Sequence, residues 1–385
     1  MKEKFKNFGL KTLDWLKANF IFSVAVIVAI VSCFIVPPSK DYLSYFEGSG
    51  ETLTAIFGIL IIVAGLENID FFHKVARFIV KKFKSTRSLI LTLIFITYVS
   101  ALINANDMAL LTFLPLSFLV LNYTDNTKYL AFTFIMQNIA SNLGGMLSPI
   151  GNPQNIYLFS YYNITLLEFF KLMAIPTLCA LILILVVCLF IKPTPVEYVD
   201  NYDHSLNIKK LIVYAVLFVL TFLVVCNVLP FYVVLPIIII TMLICDYKTF
   251  VQVDYTIPLT FVAFFIFSGN MTRIPAIVNL MENFANSQTF LCAYLSCQLI
   301  SNVPTSILLS KFTNNYPALL ISVNVASLGI IFSSLSGVIA LKCFMKYKPK
   351  DSKRGAWYYI GLDFLINIAM LVVLYPVSYF SLMLW

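Results

Sequence analysis

Long apolar runs separated by short polar segments make up most of the chain. About 20 consecutive apolar residues span the hydrocarbon core of a bilayer as an α-helix. The pattern predicts spans at residues 20–37, 51–66, 128–160, 168–191, 211–229, 232–245, 257–270, 316–345 and 357–383. Two of these, 128–160 and 316–345, are long and are interrupted by small and polar residues, so we expect discontinuous helices there.

Two further apolar segments, 88–121 and 287–311, have polar residues at their centres. Each is too short to cross the membrane twice and too long to cross it once comfortably. Both are therefore predicted to be re-entrant helical hairpins, which enter and leave on the same side. The fold class that we expect is an all-α polytopic membrane protein.

The order of these elements occurs twice. Residues 56–115 and 261–311 each contain a span, an amphipathic connector, an apolar arm, a polar tip and a second apolar arm, and an interrupted helix follows each. Such pairs of discontinuous helices are typical of the inverted repeats of secondary transporters. Chance likeness among hydrophobic segments is the alternative explanation.

One membrane domain of four parts is expected from this order. The parts are an N-terminal interfacial helix with the first span at 1–50, a first repeat at 51–191, a linker with two spans at 192–256, and a second repeat at 257–385.

Composition supports a membrane location. The 385 residues are 60% hydrophobic and 11% charged, with a mean hydropathy of +0.91, whereas a soluble domain is about 45–50% apolar and about 25% charged. The net charge of +8 comes from Lys and Arg in short loops, which indicates membrane topology rather than nucleic-acid binding. The basic segments 67–87 and 342–354 are predicted to be cytoplasmic and 271–287 to be external. The N-terminus is then inside and the C-terminus outside a plasma (inner) membrane.

Four polar elements, the two tips and the two interruptions, are expected to meet near the midplane of the membrane. A broken helix exposes free N–H groups at one end and free carbonyls at the other, and these attract anions and cations respectively. Asn, Ser and Thr add neutral donors and oxygens. The candidate substrate- and ion-binding residues are Asn104, Asn106, Asp107, Gly144, Gly145, Ser148, Gly151, Asn152, Asn155, Ser301, Asn302, Thr305, Asn324 and Ser327.

Several of these residues also have a purely structural explanation. Gly144 and Gly145 are suited to close helix packing, and Ser327 and Ser333 could bond back to carbonyls of the preceding turn. Asp107 could carry a proton, bind a cation or hold its tip together. For Asp363, inside the last span, we expect interhelical hydrogen bonding rather than a direct substrate role.

Enzyme and metalloprotein functions find no support in the sequence. The eight Cys form no CxxC pair, and the two His exclude a His-rich metal site. HExxH, GxGD with a partner Asp, and GxSxG with a usable His are all absent. We therefore expect no enzyme and no cofactor, with Na⁺ or H⁺ as coupling ion. The expected partners are a small-molecule or ion substrate and the lipid bilayer.

The Asn-Asp pair at the first tip, GG followed by PIGNPQN at 149–155, and SNVPT at 301–305 resemble the ion transporter superfamily. This group includes citrate-transporter-like permeases, divalent anion:sodium symporters, arsenite permeases and sodium/proton antiporters. The resemblance implies an inverted-repeat fold with two hairpins, a homodimer and elevator-like movement. It also implies two Na⁺ sites, one formed by Asn106, Gly145, Gly151 and Asn155 and the other by Ser301, Asn302, Thr305 and Asn324.

The tips depart from one branch of this group. The dicarboxylate branch is expected to have Ser-Asn-Thr at both tips, whereas the chain has NAND at the first, which is closer to the arsenite permease and antiporter branches. We expect a secondary active transporter of a small anion, such as a di- or tricarboxylate, coupled to Na⁺ or H⁺ and working by alternating access. The alternative is a Na⁺/H⁺ antiporter or an arsenite or oxyanion efflux permease.

Overall fold

The computed structural model describes residues 20–37, 42, 45–46, 50–103, 106–196, 206–225, 228–279, 288–349 and 354–385. The predicted N-terminal interfacial helix and the candidate residue Asn104 lie outside these ranges. Within them, the regular elements are helices, and the only β-pairing is an isolated bridge between Ser85 and Pro195. The predicted all-α architecture is confirmed.

The first half of the chain places a helix at each predicted apolar segment. The helices are α1 (Phe20–Ile35), α2 (Gly50–Asn68), α3 (Phe71–Lys82), α4 (Thr86–Ile103), α5 (Asn106–Tyr123), α6 (Leu130–Gly145), α7 (Pro153–Tyr161) and α8 (Leu166–Leu189). The predicted interruption of the 128–160 segment is the non-helical stretch between α6 and α7.

The second half of the chain also places a helix at each predicted apolar segment. The helices are α9 (Ile208–Val225), α10 (Phe231–Asp246), α11 (Thr249–Gln252), α12 (Thr256–Met271), α13 (Thr289–Ile300), α14 (Asn302–Leu309), α15 (Tyr316–Val325), α16 (Leu335–Tyr347) and α17 (Ala356–Met383). The predicted interruption of the 316–345 segment lies between α15 and α16.

Local sequence explains where the interrupted helices stop and restart. Gly-Gly at the end of α6 is followed by Pro149, and Pro153 is the first residue of α7, where a missing N–H costs no hydrogen bond. Ser334 caps α16 by accepting a hydrogen bond from the Gly337 N–H at 3.4 Å. Each second half therefore begins at a residue that is suited to start a helix.

Packing crosses between the two interrupted helices. The helices α4 and α5 pack against each other and against α6, and α13 and α14 pack against each other and against α15. The first interrupted helix continues after its break as α7, which packs on α14 and α15. The second interrupted helix continues after its break as α16, which packs on α5 and α6. The helices on either side of each tip are thereby packed against both interrupted helices.

Large apolar side chains cover much of the outer surface. In α10, for example, one face exposes Val233, Ile237, Ile240 and Ile244, whereas Val234, Ile238 and Met242 are buried. A soluble monomer rarely exposes apolar patches of this extent. By length and composition, the helices Leu166–Leu189 and Ala356–Met383 can each cross a membrane, and the other apolar helices are shorter.

Candidate functional site

Each helix pair contacts an interruption through the first residue of its second helix. The N–H of Asn106, at the start of α5, donates to the Gly151 carbonyl at 2.8 Å. The N–H of Asn302, at the start of α14, donates to the Ser333 carbonyl at 3.0 Å. In both residues the side-chain Oδ1 also accepts from the N–H of the next residue, at 2.9 Å. The two tips are therefore attached in the same way.

Asn324, near the end of α15, connects the second interrupted helix to the first. Its Oδ1 accepts from Asn152 Nδ2 at 2.8 Å and from Gln154 Nε2 at 3.3 Å. Its Nδ2 donates to Asn155 Oδ1 at 2.6 Å and to the Leu320 carbonyl at 2.8 Å. The side chain is fully buried, so these four bonds use its whole hydrogen-bonding capacity.

Asn142, near the end of α6, makes the corresponding connection in the other direction. Its Oδ1 accepts from Asn106 Nδ2 at 2.8 Å and from Ser336 Oγ at 3.3 Å. Its Nδ2 donates to Ser334 Oγ at 3.4 Å and to the Asn138 carbonyl at 2.9 Å. Asn142 and Asn324 each bond back to their own helix and across to the second half of the other interrupted helix.

At the first interruption, glycines allow backbone segments to approach each other closely. A Cβ added at Gly151 would lie 2.4 Å from the Gly145 carbonyl oxygen, and one at Gly144 would lie 2.5 Å from the Tyr98 carbonyl oxygen. Asn155 Nδ2 donates to the carbonyls of Gly145 and Ser148, at 3.2 and 3.0 Å. The glycines thus serve close packing and, at Gly145 and Gly151, also bring carbonyl groups to the polar network.

The second tip contains several hydrogen bonds within itself. Ser301 has a φ of +74°, which lets α13 and α14 meet with no further linking residue. Its Oγ donates to Asn302 Oδ1 at 3.3 Å, and Thr305 Oγ1 donates to the Ser301 carbonyl at 2.7 Å. Ser327 Oγ bonds back to the Asn324 carbonyl at 2.7 Å, as the structural explanation for this residue supposes.

The structure therefore brings most candidate residues together, but in a different grouping. Hydrogen bonds link Asn324 to Asn152 and Asn155 of the first interruption rather than to Ser301, Asn302 or Thr305. The four residues of the first proposed Na⁺ set lie next to one another. Asn106 bonds to Gly151, Asn155 bonds to Gly145, and the backbones of Gly145 and Gly151 approach closely. The ion-binding roles of both sets stay predictions.

Sequence reasoning missed three members of the network: Asn142, Gln154 and Ser336. The sequence does contain a pattern that could have identified these three residues. The number of residues from Asn142 to Gly151 equals the number from Asn324 to Ser333. Aligning the two interruptions on this spacing also pairs Asn152 with Ser334 and Gln154 with Ser336. These are the residues that make the crossed hydrogen bonds.

Acceptor oxygens remain free around this network. Within the described residues, Asp107 Oδ1, Asn152 Oδ1 and Gln154 Oε1 are buried without a hydrogen-bond partner. The sequence has no Lys, Arg or His in 88–123, 130–161, 289–310 or 316–341. A ligand here meets amides, hydroxyls, helix ends and one carboxyl group, and no basic side chain of these segments.

A cavity of about 400 Å³ adjoins the second tip. Its polar end is formed by Gln298, Ser301 and Ser334, and apolar side chains of α1 and α12, including Val24 and Phe267, form its walls. The cavity gives the second tip an opening between the interrupted helix and the surrounding apolar helices.

The described residues are almost entirely helical, with an apolar exterior and a buried polar network between two interrupted helices. This is the architecture of a membrane transport protein. A family model described as citrate transporter matches residues 11–338. The chain belongs to this citrate transporter family. It is accordingly a membrane transporter and not an enzyme, as the sequence predicted.

Two relatives have consistent descriptions. An uncharacterized transporter, MJ0456, of Methanocaldococcus jannaschii is 31% identical over 299 residues, which cover 76% of this chain and 80% of the relative. The inner membrane protein YbiR of Escherichia coli is 25% identical over 339 residues, covering 87% of this chain and 90% of the relative. The similarity to both extends over most of each chain.

Proposed function

We propose that this chain is a secondary active transporter that moves a small citrate-like anion, a di- or tricarboxylate, by alternating access coupled to Na⁺ or H⁺. Membership of the citrate transporter family supports the substrate class. The polar network supplies helix N-termini and amide donors for a carboxylate. It also supplies carbonyl and amide oxygens for a cation that would offset the anion's charge.

The observation that carries this proposal is the matched pair of tip contacts. Asn106 bonds to Gly151 as Asn302 bonds to Ser333, and Asn142 and Asn324 make matching crossed bonds. Equivalent contacts at equivalent positions are what two inverted repeats with re-entrant hairpins would produce around a shared site. Alternating access then follows from movement of one repeat element against the rest.

The two Na⁺ sites are part of the same proposal. Gly145 and Gly151 approach each other closely, and free oxygens of Asn152 and Asp107 adjoin the first set. Asn155 now directs its Nδ2 at the Gly145 carbonyl. Na⁺ binding at the first site would require this amide to turn and present its oxygen.

The proposed topology has the N-terminus inside and the C-terminus outside an inner membrane. An ion pair between Lys346 and Glu67, at 3.9 Å, supports a shared cytoplasmic side for the basic segments 342–354 and 67–87. YbiR carries the description inner membrane protein, which favours that membrane here. The homodimer implied by the family resemblance stays a prediction.

The test is accumulation of labelled citrate and succinate in proteoliposomes under an imposed inward Na⁺ or H⁺ gradient. Accumulation that disappears when the gradient is dissipated would support the proposal. Tight, correctly loaded vesicles that accumulate neither anion under either gradient would contradict it.

The second candidate function is a Na⁺/H⁺ antiporter or an arsenite or oxyanion efflux permease. Asp107 favours it, because its Oδ1 is buried without a partner at the first tip and an ionised carboxylate there would repel an anion. Proton movement driven by Na⁺ in vesicles without any carboxylate would decide for this function.

A further inference from the structure

The last helix, α17, directs a row of polar side chains toward the protein interior. Tyr359, Asp363 and Asn367 follow one another at four-residue spacing and therefore share a helix face. Their exposed fractions are 0%, 2% and 2%. Trp357 and Leu365, by contrast, are exposed on the outer surface.

The Tyr359 ring packs against the Phe344 ring of α16, with 4.9 Å between ring centroids, but the polar atoms of the row form no hydrogen bonds to neighbouring helices among the described residues. Within the described residues, Tyr359 Oη, Asp363 Oδ1 and Asn367 Oδ1 have no hydrogen-bond partner. Asn367 Nδ2 donates to the main-chain carbonyl of Asp363 in its own helix, at 2.7 Å. The interhelical hydrogen bonding expected for Asp363 is therefore not found among the described residues.

No cation compensates Asp363 in the described part of the chain. Among the helices packed on α17, α6 has no ionisable side chain. The ionisable groups of α8, α15 and α16 are thiols, phenols, an exposed lysine (Lys171), and charged groups with partners of their own. Lys342 pairs with Asp254, Lys346 pairs with Glu67, and Glu168 accepts from the Tyr316 hydroxyl. The remaining ionisable groups on these helices are Lys171, Cys179, Cys188, Cys343 and Tyr347.

We propose that Asp363 is a proton-binding carboxyl group, separate from the tips and interruptions, and that its protonation is coupled to anion transport. This inference rests on the proposed function. Burying an isolated carboxylate costs far more than burying the neutral acid. The acid hydrogen has two free acceptors one turn away, Tyr359 Oη and Asn367 Oδ1.

The same three groups suit a proton better than a metal ion. A hard metal cation requires a full shell of oxygen ligands, whereas a proton needs one acceptor. Three side chains on a single helix face cannot surround an ion. The proton comes from water on one side of the membrane, converts the carboxylate to the acid, and leaves to water on the other side.

The position of α17 explains how this proton could influence transport. The helix packs directly on α6, α15 and α16, which belong to the two interrupted helices. A carboxylate at this interface favours hydration and a looser arrangement, whereas the neutral acid permits close packing. Protonation thus biases the same elements that alternating access must move.

The experiment compares two modes of transport in proteoliposomes with the membrane potential clamped. An inward pH difference of about one unit supports about tenfold accumulation per coupled proton. For Asp363→Asn we expect the ratio of internal to external anion to fall to the equilibrium level, while exchange of labelled for unlabelled anion without any gradient continues. Asp363→Glu should retain accumulation, and Ser378→Ala, which alters another unpaired buried group of the same helix, should match the wild type.

Each outcome supports or contradicts the role of Asp363 as the proton-coupling site. If Asp363→Asn still accumulates anion under the pH gradient, or if the wild type accumulates with Na⁺ alone, Asp363 is not the coupling site although the proposed function stands. Loss of both accumulation and exchange in a monodisperse Asp363→Asn protein would also overturn the inference. A wild type that transports no carboxylate under any gradient would instead refute the proposed function.

Discussion

Replacing Gly151 with Ala should destabilise the first interruption. The new Cβ would lie 2.4 Å from the Gly145 carbonyl oxygen and 2.8 Å from the Ala101 carbonyl oxygen. Both obstacles are backbone atoms, so no side chain can turn away. Gly151 or its neighbours must shift by about 1 Å to restore an ordinary contact, and overpacking of this kind costs about 1–3 kcal/mol.

The shift would also disturb the attachment of the first tip. The Gly151 carbonyl accepts the 2.8 Å hydrogen bond from the Asn106 N–H, and losing a bond between buried groups costs about 1–3 kcal/mol. We expect a total loss of about 2–4 kcal/mol, because the two effects partly overlap. Uptake should fall together with stability, since the first tip and the first interruption would separate.

Thermal unfolding in detergent measures this loss through thiol reactivity. Cys188, Cys292 and Cys297 are free and buried, so a thiol-reactive fluorescent dye reports their exposure as the protein unfolds. The matched control is Gly361→Ala in α17, where an added Cβ meets nothing within 4 Å. A Gly151→Ala protein that unfolds at the temperature of the control and transports normally would refute the reasoning.

Three further predictions concern the tips and the topology. Asn106→Ala and Asn302→Ala should each abolish coupled uptake, because each removes the acceptor for the next N–H of its tip; normal uptake in both variants would contradict the shared role. For the second candidate function, Asp107→Asn should remove the pH dependence of transport, measured as uptake across a pH series, and an unaltered pH profile would argue against proton handling at the first tip. In a cysteine-free background, Lys346→Cys should react with an impermeant maleimide only from the cytoplasmic side, and Lys311→Cys should react only from the outside. Labelling of both variants from the same side would disprove the proposed topology.

The sequence predicted the helices well because their signal is local. Hydrophobic runs and helix-breaking residues both act within a few positions, so α4 and α5 begin and end close to the expected 88–121 segment. The first interruption was evident from Gly145, Pro149 and Pro153. The second was less marked, because Ser and a single Gly interrupt a helix only when other groups take up the freed backbone groups. Here Gln298 donates to the Ala326 carbonyl, and Ser334 caps α16.

The site was predicted less completely because its bonds join distant parts of the chain. Asn324 was grouped with the second tip, which is near it in sequence, whereas its hydrogen bonds lead to Asn152, Gln154 and Asn155. Periodicity and composition contain no information on such crossed pairs. Only the equal spacing within the two interruptions pointed to them, and it identifies equivalent positions rather than partners.

The crossed network has a consequence for how a ligand binds. Asn142 and Asn324 already use their amide groups within the protein, so a ligand that bonds to either of these amides must replace existing hydrogen bonds. Each neutral bond contributes about 0.5–1.5 kcal/mol net, and a charged ligand forms stronger ones. Since the broken bonds are those that join the two interrupted helices, binding would release one helix from the other. The free energy of ligand binding would then separate the two interrupted helices. Without a ligand, their mutual hydrogen bonds would hold them together.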